Sequence, residues 1–127
     1  EQIEVLGYDL PRRRVRPGDC FPVTLYWRAL MPMAVNYQSF LHLARPLDVV
    51  WGQEDHLNPG GLPTTRWPLD RYVWDEYEIC VSPDVPPGEY MLNAGIYSLT
   101  GNYRLPRYDG AGQVVGDSIV IATVIVE

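Results

Sequence analysis

The chain has 127 residues, 46% of them hydrophobic and 12% aromatic, which is enough for one domain with a sizeable core. Its formal net charge of −6 argues against nucleic acid as a partner, because phosphates are bound by basic surfaces. The longest apolar run, Ile119–Val126, is too short to cross a bilayer and too rich in β-branched residues to suggest a helix.

Proline and glycine punctuate the whole chain. The 12 prolines and 11 glycines fall between short apolar runs, and no stretch has a convincing helical period. The runs predict strands over residues 3–10, 21–30, 37–44, 49–53, 74–81, 90–98, 103–108 and 118–126. We therefore expect a single all-β domain over residues 1–127, an antiparallel β-sandwich of the immunoglobulin or fibronectin-III type with seven to nine strands.

The first turn region is rich in arginine. Arg12, Arg13, Arg14 and Arg16 lie within five residues of one another, and all ten basic residues of the chain are arginine. The pattern is typical of a solvated arm or an edge strand. Contact with an anionic lipid or a phosphorylated glycan is the alternative.

Alternation assigns the strand faces. The inward positions are predicted to be Phe21, Val23, Leu25, Trp27, Tyr77, Ile79, Val81, Tyr90, Leu92, Ala94 and Ile96. Tyr90 also follows a turn of proline and glycine at the head of a strand. This placement indicates a tyrosine corner, in which the ring is buried and the hydroxyl binds backbone just upstream. The alternative is a tyrosine that contacts a ligand.

Cys20 begins one predicted strand and Cys80 ends another, both at outward positions. In an immunoglobulin-like topology those strands are antiparallel neighbours, so a disulfide across them is geometrically plausible. It would fit an oxidising compartment, whereas the alternative is two unpaired thiols.

The segment from Trp51 to Trp74 combines aromatic and polar side chains, which are the groups that sugars need for stacking and for hydroxyl recognition. This pattern suggests a carbohydrate site. The alternative is that its tryptophans close the end of the core. The candidate ligand residues are Trp51, Asp55, His56, Arg66 and Trp67.

Catalysis and metal binding have weaker support. His42 lies in a strand and is expected to be structural, while His56 stands beside acids in a loop but without a nucleophile motif. No calcium-loop motif is present, so the turn acids are expected to cap backbone N–H groups; they are Asp48, Glu54, Asp55, Asp70, Asp75, Asp109 and Asp117. We expect no enzymatic activity, no metal and no cofactor.

The last predicted strand suggests another role. Both of its faces are apolar, so it must be covered on both sides or lie against another chain. Dimerisation, or docking on a parent protein, is therefore an alternative to carbohydrate binding.

Phrases along most of the chain resemble a known type of domain. They are VLGYDL, RPGDCFPVTLYWRAL, YQSFLHL, GLPTTRWPLD, VPPGEYMLNAGIYSLTGNYRLP and GDSIVIATVIVE. They resemble the accessory β-sandwich at the C-terminus of bacterial polytopic glycosyltransferase-like membrane proteins, which are similar to the dolichyl-phosphate-mannose mannosyltransferase type. Cys20 and Cys80 depart from that pattern.

The resemblance implies a non-catalytic module on the outer face of a membrane, cut from a longer membrane-anchored protein whose catalytic part lies elsewhere. Such a module would bind or position carbohydrate for its parent protein. The alternative is a structural or protein-interaction domain without a small ligand. The expected partners are thus carbohydrate, the parent membrane protein or a second copy of the chain.

Overall fold

The structure is a computed structural model that describes residues 1–45 and 49–127. Its strands are β1 (Ile3–Asp9), β2 (Arg14–Val15), β3 (Cys20–Ala29), β4 (Gln38–Ala44), β5 (Val50–His56), β6 (Val73–Cys80), β7 (Gly88–Ser98), β8 (Tyr103–Arg104), β9 (Arg107–Tyr108), β10 (Val114–Gly116) and β11 (Ile119–Val126). Two single turns of 3-10 helix, Pro59–Gly61 and Thr64–Arg66, lie between β5 and β6.

The strands form two sheets and a small hairpin. The three-stranded sheet has the order β1-β3-β6, and the six-stranded sheet has the order β2-β11-β7-β4-β5 with β8 beside β7. β9 and β10 pair with each other. Among the described pairings all are antiparallel except that of β2 with β11. Side chains of both sheets share one core, which confirms the predicted antiparallel β-sandwich.

The core confirms the assignment of faces. Every predicted inward position is buried, including the row from Phe21 to Trp27 on β3 and the row from Tyr90 to Ile96 on β7. One face per strand is therefore removed from water, which is the largest favourable contribution to folding. Phe40 is buried as well, but on the outer face of the six-stranded sheet, where its ring lies above Gly95 and below the guanidinium of Arg104.

The strand count exceeds the predicted seven to nine because of short strands. β2, β8, β9 and β10 have two or three residues each. The predicted strand over residues 103–108 was wrong as a single element. It divides at Leu105 and Pro106, where proline has no N–H to continue the ladder.

The arginine-rich segment is an edge strand, one of the two structural roles predicted for it. β2 pairs with Ile125 and Val126 at the end of β11. The side chain of Arg12 forms a salt bridge with Asp19 over 3.0 Å. The contact with an anionic ligand stays a prediction.

The last strand is covered in part. β11 lies between β7 and β2, and a bulge between Val120 and Ala122 changes which residues face inward. Ala122 and Val124 are buried, whereas Val120 is exposed beyond the end of β2. The strand therefore faces the core along one row and is paired by β2 only near its end.

The two cysteines form the predicted disulfide. Cys20 lies opposite Cys80 on β3 and β6, their Cα atoms are 4.0 Å apart, and a disulfide joins them. The bridge closes a loop with a sequence separation of 60 residues.

Tyr90 forms the corner described above. Its ring is fully buried, and its hydroxyl donates a hydrogen bond to the carbonyl of Pro86 over 2.6 Å. The guanidinium of Arg45 covers the ring, 4.4 Å from its centroid, and donates to the carbonyl of Pro87. The turn that precedes β7 is thereby attached to the sandwich.

Candidate functional site

The five residues predicted to bind a ligand do not form one surface. Trp67 is only 5% exposed, and its indole N–H donates to the carbonyl of Leu62 over 2.8 Å. It closes the end of the core and offers no face to a sugar. Its assignment as a ligand residue is therefore corrected, because the apolar ring is more stable in the core than in water.

Of the other four predicted residues, Asp55 and His56 lie together and Trp51 and Arg66 lie elsewhere. Trp51 is half-buried on β5 and packs against the core, while Arg66 is exposed at the end of a helical turn. Asp55 and His56 are neighbours on β5, and their side chains lie on opposite faces of the strand. The carboxylate of Asp55 accepts from Tyr97 over 2.7 Å, whereas His56 binds Asp75. Of the predicted set, Asp55 and His56 line one cleft, whereas Trp51, Arg66 and Trp67 do not belong to its lining.

A buried carboxylate organises this end of the sandwich. Asp75 lies on β6 and is 1% exposed, so it is not the turn or strand-edge acid that the sequence suggested. One of its oxygens accepts from the hydroxyls of Tyr77 and Ser39, over 2.5 and 2.9 Å, and from the indole N–H of Trp27 over 3.2 Å. A carboxylate taken out of water needs donors of this kind, since an unpaired one is strongly destabilising.

The second oxygen of Asp75 binds the loop that contains Gly60 to β6. It accepts from Nδ1 of His56 over 2.5 Å and from the backbone N–H of Gly60 over 3.0 Å. Gly60 has a φ of 70°, and a Cβ there would lie 2.1 Å from a methyl carbon of Val73. Only glycine can bring the backbone this close to β6 in this conformation.

His56 bridges two carboxylates. Its Nδ1 lies 2.5 Å from Asp75 and its Nε2 lies 2.6 Å from Oε2 of Glu54. Both ring nitrogens can donate only when the imidazole is protonated. Burial by itself lowers the pKa of His56, but the hydrogen bonds and charges of Asp75 and Glu54 outweigh burial and raise the pKa above its ordinary value.

The cluster connects strands of both sheets through hydrogen bonds to Asp75. The hydroxyl of Ser39 is fully buried and donates to Asp75, so Ser39 and His56 do not form a nucleophile–base pair. The two carboxylates bind different nitrogens of one ring, so they do not converge on a common cation. In the described part of the chain, potential metal ligands converge at Cys20, Glu78 and Cys80, where both sulfurs belong to the disulfide.

An exposed group of aromatic side chains lies on the outer face of the three-stranded sheet. We call Tyr26, Tyr72 and Trp74 the aromatic face. Trp74 is 57% exposed and Tyr72 is 50% exposed, although both are large apolar side chains. The ring centroids of Tyr26 and Tyr72 are 5.6 Å apart, and those of Tyr72 and Trp74 are 6.2 Å apart.

The aromatic face borders an open cleft of about 650 Å³. The cleft is lined by Asp55, His56, Leu57, Asn58, Gly60, Gly61, Trp74, Asp75 and Glu76. The Asp75–Gly60 hydrogen bond holds its loop side against β6, and Trp74 forms part of its strand side. Polar groups and an exposed indole therefore lie together at this place.

Strand parity could have identified Trp74. Glu76, Glu78 and Cys80 occupy outward positions of β6, and Trp74 belongs to the same row. Tryptophan at an outward position of a strand is the signal for an exposed ring, whereas Trp67 follows a helical turn where no such parity exists.

Comparison of the chain with models of known protein families finds no match, and comparison with curated proteins finds none either. Among the described residues there is no helix that is long and apolar enough to span a membrane.

Proposed function

We propose that the domain is a non-catalytic, extracytoplasmic accessory module that binds carbohydrate on its aromatic face. The observation that carries this proposal is the exposure of Trp74 and Tyr72 on one sheet, beside a polar cleft. Exposed rings of this size leave apolar area in contact with water, and the C–H face of a sugar ring would remove that contact.

Polar groups near the indole would supply specificity. Glu76 and Asn58 line the cleft beside Trp74, and both offer oxygens to which sugar hydroxyls can donate. The loop that carries Asn58 is fixed through Gly60 and Asp75, so its position is set before a ligand arrives. A pre-positioned site loses less conformational entropy on binding.

The location and the absence of catalysis are part of the same proposal. The Cys20–Cys80 disulfide supports an oxidising compartment, because such bonds are rare in the reducing cytosol. The hydroxyl of Ser39 is buried and both nitrogens of His56 are occupied, which supports a binding role. In the setting implied by the family resemblance, the module would hold an acceptor or a glycan for a glycosyltransferase-like membrane protein.

A glycan-array screen of the domain tests the proposal. We expect binding that is lost in Trp74→Ala and in Tyr72→Ala. Tyr103→Ala is the matched control, because Tyr103 is also exposed but lies on β8 of the opposite sheet. Circular dichroism would establish that each variant folds. Binding that survives in both variants of the aromatic face, or a screen without binding, would remove the proposal.

Self-association is the second candidate, and the exposed edge of β11 favours it. β2 pairs only with Ile125 and Val126, so the part of that edge beside Val120 is free of β2. Light scattering during size-exclusion chromatography would detect a dimer. Val120→Lys should then restore a monomer, since a charge on an edge strand opposes pairing.

A further inference from the structure

The unpaired charged groups around the aromatic face are carboxylates. Asp9, Glu76 and Glu78 lie on the outer face of the three-stranded sheet, and among the described residues none of them forms a salt bridge. Arg28 on this face is paired with Glu4 over 2.7 Å, and Arg71, next to Tyr72, is paired with Asp70 over 3.6 Å. The protonated ring of His56 also lines the cleft, but Glu54 and Asp75 offset its charge. The unpaired charges that a ligand meets are therefore carboxylates, which disfavours acidic sugars.

The aromatic rings do not form one flat platform. The planes of Tyr26 and Tyr72 are inclined by 76°, and those of Tyr72 and Trp74 by 50°. A group placed between two rings inclined in this way can contact the faces of both. Tyrosine and tryptophan faces carry partial negative charge, so they attract ammonium groups as well as C–H groups.

Glu76 brings a full negative charge to the same place. It lies two residues from Trp74 on the same side of β6, about 7 Å along the strand. Glu76 also lines the cleft that Trp74 borders. An apolar ring surface, an inclined second ring and an exposed carboxylate together complement a sugar that carries a positive charge.

We infer that the ligand of the aromatic face is an amino sugar with a free ammonium group. This inference rests on the proposed carbohydrate binding. The ammonium group contacts the Tyr72–Trp74 pair and the carboxylate of Glu76, while the C–H face of the sugar packs on Trp74. A uronic acid would place its own carboxylate beside Glu76 and is excluded by repulsion.

The test compares two probes that differ mainly in charge. They are the β-1,4-linked tetramer of glucosamine and the same tetramer with every amine acetylated, titrated by calorimetry at a mildly acidic pH where the free amine is protonated. We expect the glucosamine tetramer to bind more tightly and its affinity to fall as salt is added, because screening weakens exposed charge pairs.

Glu76→Gln removes the charge and keeps the side-chain shape. It should weaken binding of the glucosamine tetramer by about five-fold, the upper range for an exposed ion pair, and weaken binding of the acetylated tetramer less, because the amide of glutamine keeps one oxygen for a sugar hydroxyl. Glu78→Gln is the matched control, because Glu78 is on the same face about 13 Å from Trp74, beyond the screening length of ~8 Å at physiological salt.

The outcomes separate the two proposals. Equal binding of both tetramers, lost in Trp74→Ala but not in Glu76→Gln, would overturn the amino-sugar inference and keep carbohydrate binding. Binding of neither tetramer, together with a glycan array without signal, would overturn both. A preference for the charged tetramer that Glu76→Gln removes would support both.

Discussion

The imidazole of His56 lies flat against the phenol ring of Tyr77, with ring centroids 4.2 Å apart and planes inclined by 7°. His56 belongs to β5 of one sheet and Tyr77 to β6 of the other. Both polar groups bind Asp75, each to a different oxygen. The stacked pair therefore holds a buried carboxylate between the sheets and closes one side of the sandwich next to the cleft.

Removing the charge of Asp75 should destabilise the domain strongly. In Asp75→Asn the half-buried imidazolium of His56 keeps only Glu54 as a counter-charge, and donors that pointed at a buried carboxylate oxygen meet an amide N–H₂ group. We expect a loss of about 3–5 kcal/mol, the usual effect of breaking a buried ion pair. Urea unfolding followed by tryptophan fluorescence measures it.

Asp55→Asn is the control for that experiment, because Asp55 lies on the same strand as His56 but is exposed and bound to Tyr97. It should cost about 1 kcal/mol or less. Similar midpoints for the two variants would show that the Asp75 cluster is not the element that connects the sheets.

Because of its two histidines, the domain should have its greatest free energy of unfolding at an intermediate pH. The pKa of His56 is raised in the folded state, so its stabilising contribution is complete below about pH 6.5 and is lost as pH rises through the higher folded value. Burial lowers the pKa of His42, so that residue disfavours the folded state as pH falls below about 6.5. Unfolding free energies measured from pH 5 to 9 test both limbs.

Single variants show which histidine causes each change of stability with pH. His56→Gln should abolish the decline above about pH 6.5, and His42→Gln should leave that decline in place. A wild-type stability that increases steadily from about pH 6.5 to 9 would contradict the protonated His56 that the two carboxylates imply.

Alternation predicted the core well because it requires only that each strand bury one face. It placed Trp27 and Ile79 correctly without any knowledge of their partners. The Asp75 cluster was missed for the opposite reason, since its donors come from β3, β4, β5 and β6 and from a loop. A pattern along one strand cannot reveal a site that exists only when four strands meet.

One sign of the cluster was nonetheless present. Tyr77 and Ile79 were predicted to point inward, and Asp75 is in the same row of β6. An acid at an inward position indicates either that the alternation of the strand is interrupted there or that the acid belongs to a buried polar network. Trp67 and Trp74 could not be ranked as ligand residues by composition, because exposure depends on the loop path and on strand parity.

The two tryptophans of this region should respond differently to truncation. Trp67→Ala removes a buried ring and should cost about 3–5 kcal/mol, whereas Trp74→Ala should change stability by about 0.5 kcal/mol or less. Thermal unfolding of both variants measures the difference. If Trp74→Ala were the more destabilising change, the aromatic face would be a structural surface and its ligand role would lose its basis.

Removing the hydroxyl of Tyr90 should weaken the corner before β7. Tyr90→Phe keeps the ring but leaves the Pro86 carbonyl without its donor, so we expect a loss of about 1–2 kcal/mol. Urea unfolding gives the value. Tyr97→Phe is the matched control, since Tyr97 binds a carboxylate at the surface, and burial with that hydrogen bond raises its pKa to about 12. Equal effects of the two variants would argue against a special role of the corner.

Reduction of the Cys20–Cys80 bond should lower the stability by about 4 kcal/mol in the chain-entropy model, because the bridge closes a loop with a separation of 60 residues. Unfolding of the protein with and without reductant measures this loss, and Cys20→Ser with Cys80→Ser should match the reduced form. Mass spectrometry should find two hydrogens gained on reduction. Equal masses before and after reduction, with two thiols titratable in the unfolded chain, would disprove the bridge and remove its support for an oxidising compartment.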